Sequence, residues 1–153
     1  MNEGLSKLFV ALRAHWAANE VEPASPATSS DVAAFEQRYN VRLPSDLRQY
    51  FLTLNGGILG HEGSADNELI SFWRLDQVEP LARVSERELF AFGDWSIDAH
   101  VYAIQLSVDA TAPTPIYIDG GGQLIPVAST FAEFIRGTLL GTSTCSTVRT
   151  ERA

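Results

Sequence analysis

One cysteine, Cys145, in 153 residues leaves nothing for it to pair with inside the chain, so no disulfide framework and no need for an oxidising compartment follow. Long apolar runs are missing too. Leu8 to Leu12 is only five residues before Arg13 interrupts it, against about 7–15 for a signal peptide and about 20 for a membrane span. A cytosolic protein without a membrane partner is the expectation. Basic residues are outnumbered, 11 Lys plus Arg against 19 acids, and the net charge of −8 repels phosphate backbones, so nucleic acid is not expected as a direct ligand. The three histidines, His15, His61 and His100, stand far apart with no carboxylate or cysteine at ligand spacing, which excludes an evident metal site. No G-x-S-x-G elbow occurs. Gly120, Gly121 and Gly122 are followed by neither Gly-Lys-Ser/Thr nor a helix, so they are not a phosphate loop. No catalytic group, cofactor site or metal site is expected.

What is present reads as a folded domain. Hydrophobic residues make up 45% and aromatics 10%, inside the globular range, and a chain of this length buries roughly 68–70% of its unfolded surface. The most legible stretch is Leu43 to Gly57, LPSDLRQYFLTLNGG. Pro44 presets a first helical turn, and Asp46 puts a carboxylate at the positive end of the helix dipole. Leu47, Tyr50, Phe51 and Leu54 form one apolar face. Asn55, Gly56 and Gly57 then end the helix, because they reach the left-handed region at lowest cost.

Leu5, Leu8, Phe9, Leu12 and Trp16 predict an earlier helix over about 4–19, and EPASPATSS (22–30) predicts a loop. Ser30 or Asp31 caps a second helix that buries Val32, Phe35 and Tyr39. Residues 58–67 show no period and are expected as a loop. Strands are predicted at 69–75, 89–92, 100–106, 115–118 and 123–127, with 76–87 ambiguous and a helical turn or two broken near Pro80. In the third strand Val101, Ala103 and Gln105 are expected opposite Tyr102, Ile104 and Leu106. Asp119 to Gly122 predicts a tight hairpin. Ser129 or Thr130 caps a last helix with Phe131, Phe134, Ile135 and Leu139 inward. Gly141 ends it, and 142–153 is expected as a frayed polar tail behind a single domain over 1–141. The fold class is α+β: N-terminal helices and a C-terminal helix packed on an antiparallel sheet, with a mixed sheet as the alternative.

Charge is concentrated. Between Glu62 and Asp98 nine acids and three arginines carry −6 of the total −8. That segment is either a solvated acidic surface or a docking face for a basic partner. The docking reading selects Glu62, Asp66, Glu68, Asp76, Glu79, Asp94 and Asp98, with Trp73 and Trp95 as aromatic anchors of an interface. Two alternatives stay open. A sheet pocket near Trp73, Trp95 and Tyr102 would suit a small molecule or peptide, and Asp94 with Asp98 could form a hydrolase pair if burial raised one of them.

The order of these motifs resembles the SUKH superfamily, which includes the fungal cell-wall synthesis regulator and many bacterial immunity proteins. A helix with Phe35 is followed by LPSDLRQYF and LNGG; strands carrying SFWRL, LFAFGDWSID, HVYAIQL and IYID come next, and STFAEFIRGTL closes the series. The resemblance covers roughly residues 28 to 141. It implies a non-enzymatic α+β domain that binds a protein, in many bacterial members a toxin, often a nuclease, which it neutralises. Binding surfaces vary across that family, so the resemblance assigns no interface residue and leaves the oligomeric state open.

Overall fold

Leu5, Leu8, Phe9, Leu12 and Trp16 form the buried stripe of helix α1, Glu3–Ala18, in the computed structural model of the chain. The structure describes residues 3–59, 70–81, 88–95, 100–120 and 123–139. Helix α2, Ser29–Tyr39, begins one residue before the expected caps. Thr28 is the N-cap: its Oγ1 accepts from the Asp31 N–H at 3.0 Å, while Asp31 Oδ2 accepts from the Thr28 N–H at 2.9 Å. The reciprocal pair satisfies two amides that Ser30 could not have served together. Asn40, at φ 53°, closes the helix.

Helix α3, Ser45–Thr53, stops where predicted but starts one residue later than a first turn at Pro44 implies, because Pro44 is extended at ψ 156°. Pro44 is the N-cap residue, and Asn55 and Gly56 follow at φ 56° and 76°. Leu47, Tyr50, Phe51 and Leu54 are all buried. Asp46 does more than complement a dipole. Its Oδ1 accepts from the Leu47 N–H at 2.8 Å and its Oδ2 from the Ala132 N–H at 2.9 Å, so one carboxylate ties the first turn of α3 to that of helix α4, Phe131–Leu139. Asp46→Ala should cost about 1–2 kcal/mol in urea denaturation, and Asp46→Asn should recover part of it. A change within about 0.5 kcal/mol would mean that water serves both amides equally well.

The residues expected as a loop at 22–30 start in strand β1, Val21–Pro23, which pairs with β2, Gly57–Leu59. Those expected as a loop at 58–67 likewise begin in β2. Strand β3, Ile70–Phe72, is shorter than predicted. A single 3-10 turn at Leu75–Gln77 and strand β4, Glu79–Pro80, occupy the ambiguous stretch up to its undescribed residues. Pro80 does not break a helix there; it stands on a sheet edge, where a missing N–H is tolerated. Strand β5 runs past the predicted end, Leu89–Trp95, followed by β6 (His100–Gln105), β7 (Ile116–Gly120) and β8 (Gln123–Ala128). The main sheet has the order β3-β5-β6-β7-β8, with β4 pairing β5 beside β3, and every pairing is antiparallel.

The four helices among the described residues contribute to one core against one sheet face, which supplies Phe72, Phe90, Phe92, Tyr102, Ile104, Ile116 and Ile118. Rings meet edge-on through it: Trp16 with Tyr50 at 6.4 Å, Tyr50 with Phe131 at 4.9 Å, Phe131 with Phe92 at 5.6 Å. On helix α4 the Thr130 Oγ1 accepts from the Glu133 N–H at 3.1 Å, the capping expected there. The alternation of β6 is as expected: Tyr102, Ile104 and Leu106 join the helix-side core, while Ala103 faces the other way and is itself buried in a small cluster with Leu89 and Tyr117. The expected helix end at Gly141 and the tail at 142–153 lie outside the described residues.

Candidate functional site

The helices occupy one side of the sheet, and the strand register spells out what lies on the other. One cross-strand row reads Ser71, Asp94, Val101, Asp119 and Leu124. The next reads Glu79, Ala91, Ala103, Tyr117 and Pro126. Neither row contains a lysine or arginine. The described cations lie instead on the helices, as Lys7, Arg13, Arg38, Arg48 and Arg136, or on adjoining segments, as Arg42 and Arg74.

A bulge sets this face. The β5 register shifts between Ala91 and Gly93, so Phe92 is the extra residue and both Phe90 and Phe92 point into the helix-side core. Strict alternation would have sent Asp94 inward with them; the bulge carries it to the outer row. A Cβ on Gly93 would stand 2.7 Å from the Ser71 carbonyl oxygen, so glycine lets β3 close against the bulged strand. Trp73 then donates its backbone N–H to the Phe92 carbonyl at 2.9 Å and its indole N–H to Asp94 Oδ2 at 2.8 Å. Asp94 is only 8% exposed. Its carboxylate therefore orients Trp73 and offers little of itself to solvent, whereas Glu79 is exposed and Asp119 half-buried.

Trp73, Glu79 and Asp94 thus come together on the outer sheet face. Asp76 does not: it lies in the 74–78 detour, where Asp76 Oδ1 accepts from Arg74 Nε at 3.0 Å. Trp95 pairs on β5 with Ile70 and His100. Glu62, Asp66, Glu68 and Asp98 lie outside the described residues, and with Asp98 lies the carboxylate-pair alternative. The expected pocket of Trp73, Trp95 and Tyr102 is not assembled, because Tyr102 is 0% exposed in the helix-side core while Trp73 serves the other face. The Asp-Gly pair at 119–120 predicts only a turn role for Asp119, whereas it stands in β7. The alternation of IYIDG, with Ile116 and Ile118 inward, was the signal that placed it beside Tyr117 on the outer face.

A concave surface lies elsewhere. Helix α2, residues 24–27 and the 74–78 detour enclose a cleft of about 630 Å³. Asn55 stitches its base, donating from Nδ2 to the Ser25 carbonyl at 2.8 Å and accepting at Oδ1 from the Leu75 N–H at 2.8 Å. Among the described residues no three His, Cys, Asp or Glu side chains converge to hold a metal ion, and no helix is long and apolar enough to cross a membrane.

A six-stranded antiparallel sheet with helices packed on one face and an acid-bearing row on the other, together with the two-stranded β1-β2 sheet, makes this an α+β domain. Residues 26–137 match the model of the SMI1 / KNR4 family (SUKH-1), and the chain belongs to that family. The match takes in α2 and α3, the main sheet and most of α4; it leaves α1 outside. No curated protein matches the chain significantly.

Proposed function

We propose that the chain is a non-enzymatic immunity protein, one that neutralises a basic toxin domain by binding it directly. The family supports protein binding as the mode of action. The observation that carries the choice of a basic partner is the outer sheet face, whose two cross-strand rows hold Glu79, Asp94 and Asp119 and no cation. Complementary fields steer encounter, and Trp73, held by Asp94, supplies a rigid aromatic of the kind that dominates interface energies. The chain's net charge of −8 adds to the same attraction. A nuclease, whose active site must attract phosphate, presents the surface that this face would cover.

Coexpression with the polypeptide encoded beside this chain's own reading frame is the direct test. Growth arrest by that polypeptide alone, relief by the chain and a co-eluting complex are the expected results. Association of the complex should slow about tenfold or more for the double variant Glu79→Lys with Asp119→Lys, and added salt should slow the parent in the same direction. The variant Asp66→Lys with Glu68→Lys asks the same question of the acidic stretch 62–68. Unchanged association rates in both variants would remove the acidic surface from the interface. A complex with a non-toxic partner would reassign the chain to a regulatory role.

A further inference from the structure

We propose that the cleft between α2 and the 74–78 detour is a second binding site, for an extended acidic peptide segment of a partner protein. It lies apart from the outer sheet face, so it does not depend on the toxin reading. Three features define its occupant.

The first is shape. Asp31, Ala34, Phe35, Arg38 and Tyr39 fall at spacings of three and four and present one side of α2 to the cleft. Ala34, exposed and small, leaves the trough open where a longer side chain would fill it. The stripe rises about 12 Å along the helix, the reach of about four extended residues.

The second is the floor. Phe35, Leu75 and Val78 are buried apolar residues that line it, a surface that favours apolar side chains at alternate positions of an extended ligand.

The third is charge. In a chain of net −8 the cleft walls hold two aspartates and two arginines. Asp31 sits in the first turn of α2, where the helix dipole and the Thr28 N–H balance it, and Asp76 is paired with Arg74. Arg38 has no such partner. Its guanidinium lies 5.1 Å from the centroid of the Tyr39 ring and, among the described residues, makes no hydrogen bond or ion pair. A planar guanidinium held over an aromatic ring keeps its donor edge for a carboxylate. An extended peptide that alternates apolar and acidic residues meets all three features, its apolar side chains on the floor and its acids at the rim beside Arg38.

The test uses the whole chain and a fluorescein-labelled octapeptide alternating glutamate and leucine, followed by anisotropy. Saturable binding is expected, weakened about tenfold or more by Arg38→Glu, by Ala34→Trp and by exchanging the peptide's glutamates for glutamine. Both substitutions lie at exposed helix positions, so each variant should retain the parent's circular dichroism. The double variant Glu79→Lys with Asp119→Lys should bind the peptide as the parent does, so this site and the sheet face fail or succeed separately. No saturable binding by the parent overturns the proposal. So does equal binding by Arg38→Glu and Ala34→Trp, or by the glutamine peptide. Occupation of the cleft by phenylbutyrate with no binding of the peptide would overturn it in favour of a small carboxylate.

Discussion

Tyr50→Ala will destabilise the protein by about 4–6 kcal/mol, enough to unfold a large fraction of it, since domains of this size hold only about 5–15 kcal/mol. Two losses combine. The ring packs against Phe9, Trp16, Phe51, Phe72 and Phe131 with centroids 4.9–6.4 Å away, so truncation leaves a cavity at the centre of the aromatic cluster. The hydroxyl accepts the buried Gly56 N–H at 3.0 Å, and its removal orphans that donor. Tyr50→Phe separates them: it keeps the ring and should cost about 1–3 kcal/mol. Urea denaturation of both variants measures the two terms, and a Tyr50→Phe as damaging as Tyr50→Ala would contradict the partition.

The same hydroxyl has a pH signature. Burial pushes the Tyr50 phenol far above its ordinary value, and the Gly56 amide only partly offsets this. The folded protein therefore holds a proton that the unfolded chain releases above about pH 10, so this contribution is fully present below that pH and declines as pH rises. The decline reaches about 1.4 kcal/mol per pH unit from this one group. Stability of the parent should fall more steeply above pH 10 than that of Tyr50→Phe. Parallel curves would show that Tyr50 does not carry the alkaline loss.

Gly56→Ala is expected to cost about 3 kcal/mol or more, for a reason of backbone and not of packing volume. Gly56 sits at φ 76°, and a Cβ there would lie 2.6 Å from the Trp73 carbonyl carbon, 2.7 Å from its oxygen and 2.8 Å from the Arg74 nitrogen. A flexible side chain could swing away, but these backbone atoms begin the 74–78 detour and are fixed by the Asn55 bond to Leu75 and the Trp73 bond to Phe92. Relief would require the detour to shift, so the variant should also loosen the cleft against α2. Denaturant midpoints measure the first effect, and hydrogen exchange at the Leu75 amide measures the second. Wild-type values for both would mean that the contact between the end of α3 and the detour is softer than its distances imply.

Local signals carried the helical part of the fold. Helix α3 could be read to within a residue because its stop, its stripe and its first-turn carboxylate are all encoded within fifteen consecutive positions, and intrahelical spacing needs no distant partner. Strand β1 could not, since Glu22 and Pro23 are held extended by the proline but carry no preference for a sheet ladder, and become a strand only by pairing with Ile58 and Gly57. The length of β5 was hidden in the same way. Gly93 and Asp94 discourage a strand, and what overrides them is the close approach of β3 and the indole bond from Trp73.

The candidate sites divide along the same line. Acidity, a fifteen-residue helix signature and the order of elements are legible along the chain, so the α+β class follows from the sequence, and the family resemblance adds the expectation of a protein partner. Which acids share a surface was decided by one bulge at Phe92, which turned Asp94 outward beside Val101 and Asp119, and by the detour that carried Asp76 away to Arg74. The cleft depended still more on tertiary contact, for Asn55, Ser25 and Leu75 meet across separations of 20 and 30 positions. Periodicity along a chain reports which side of an element is apolar. It carries no information about which distant element will close against that side, because that choice is made by packing.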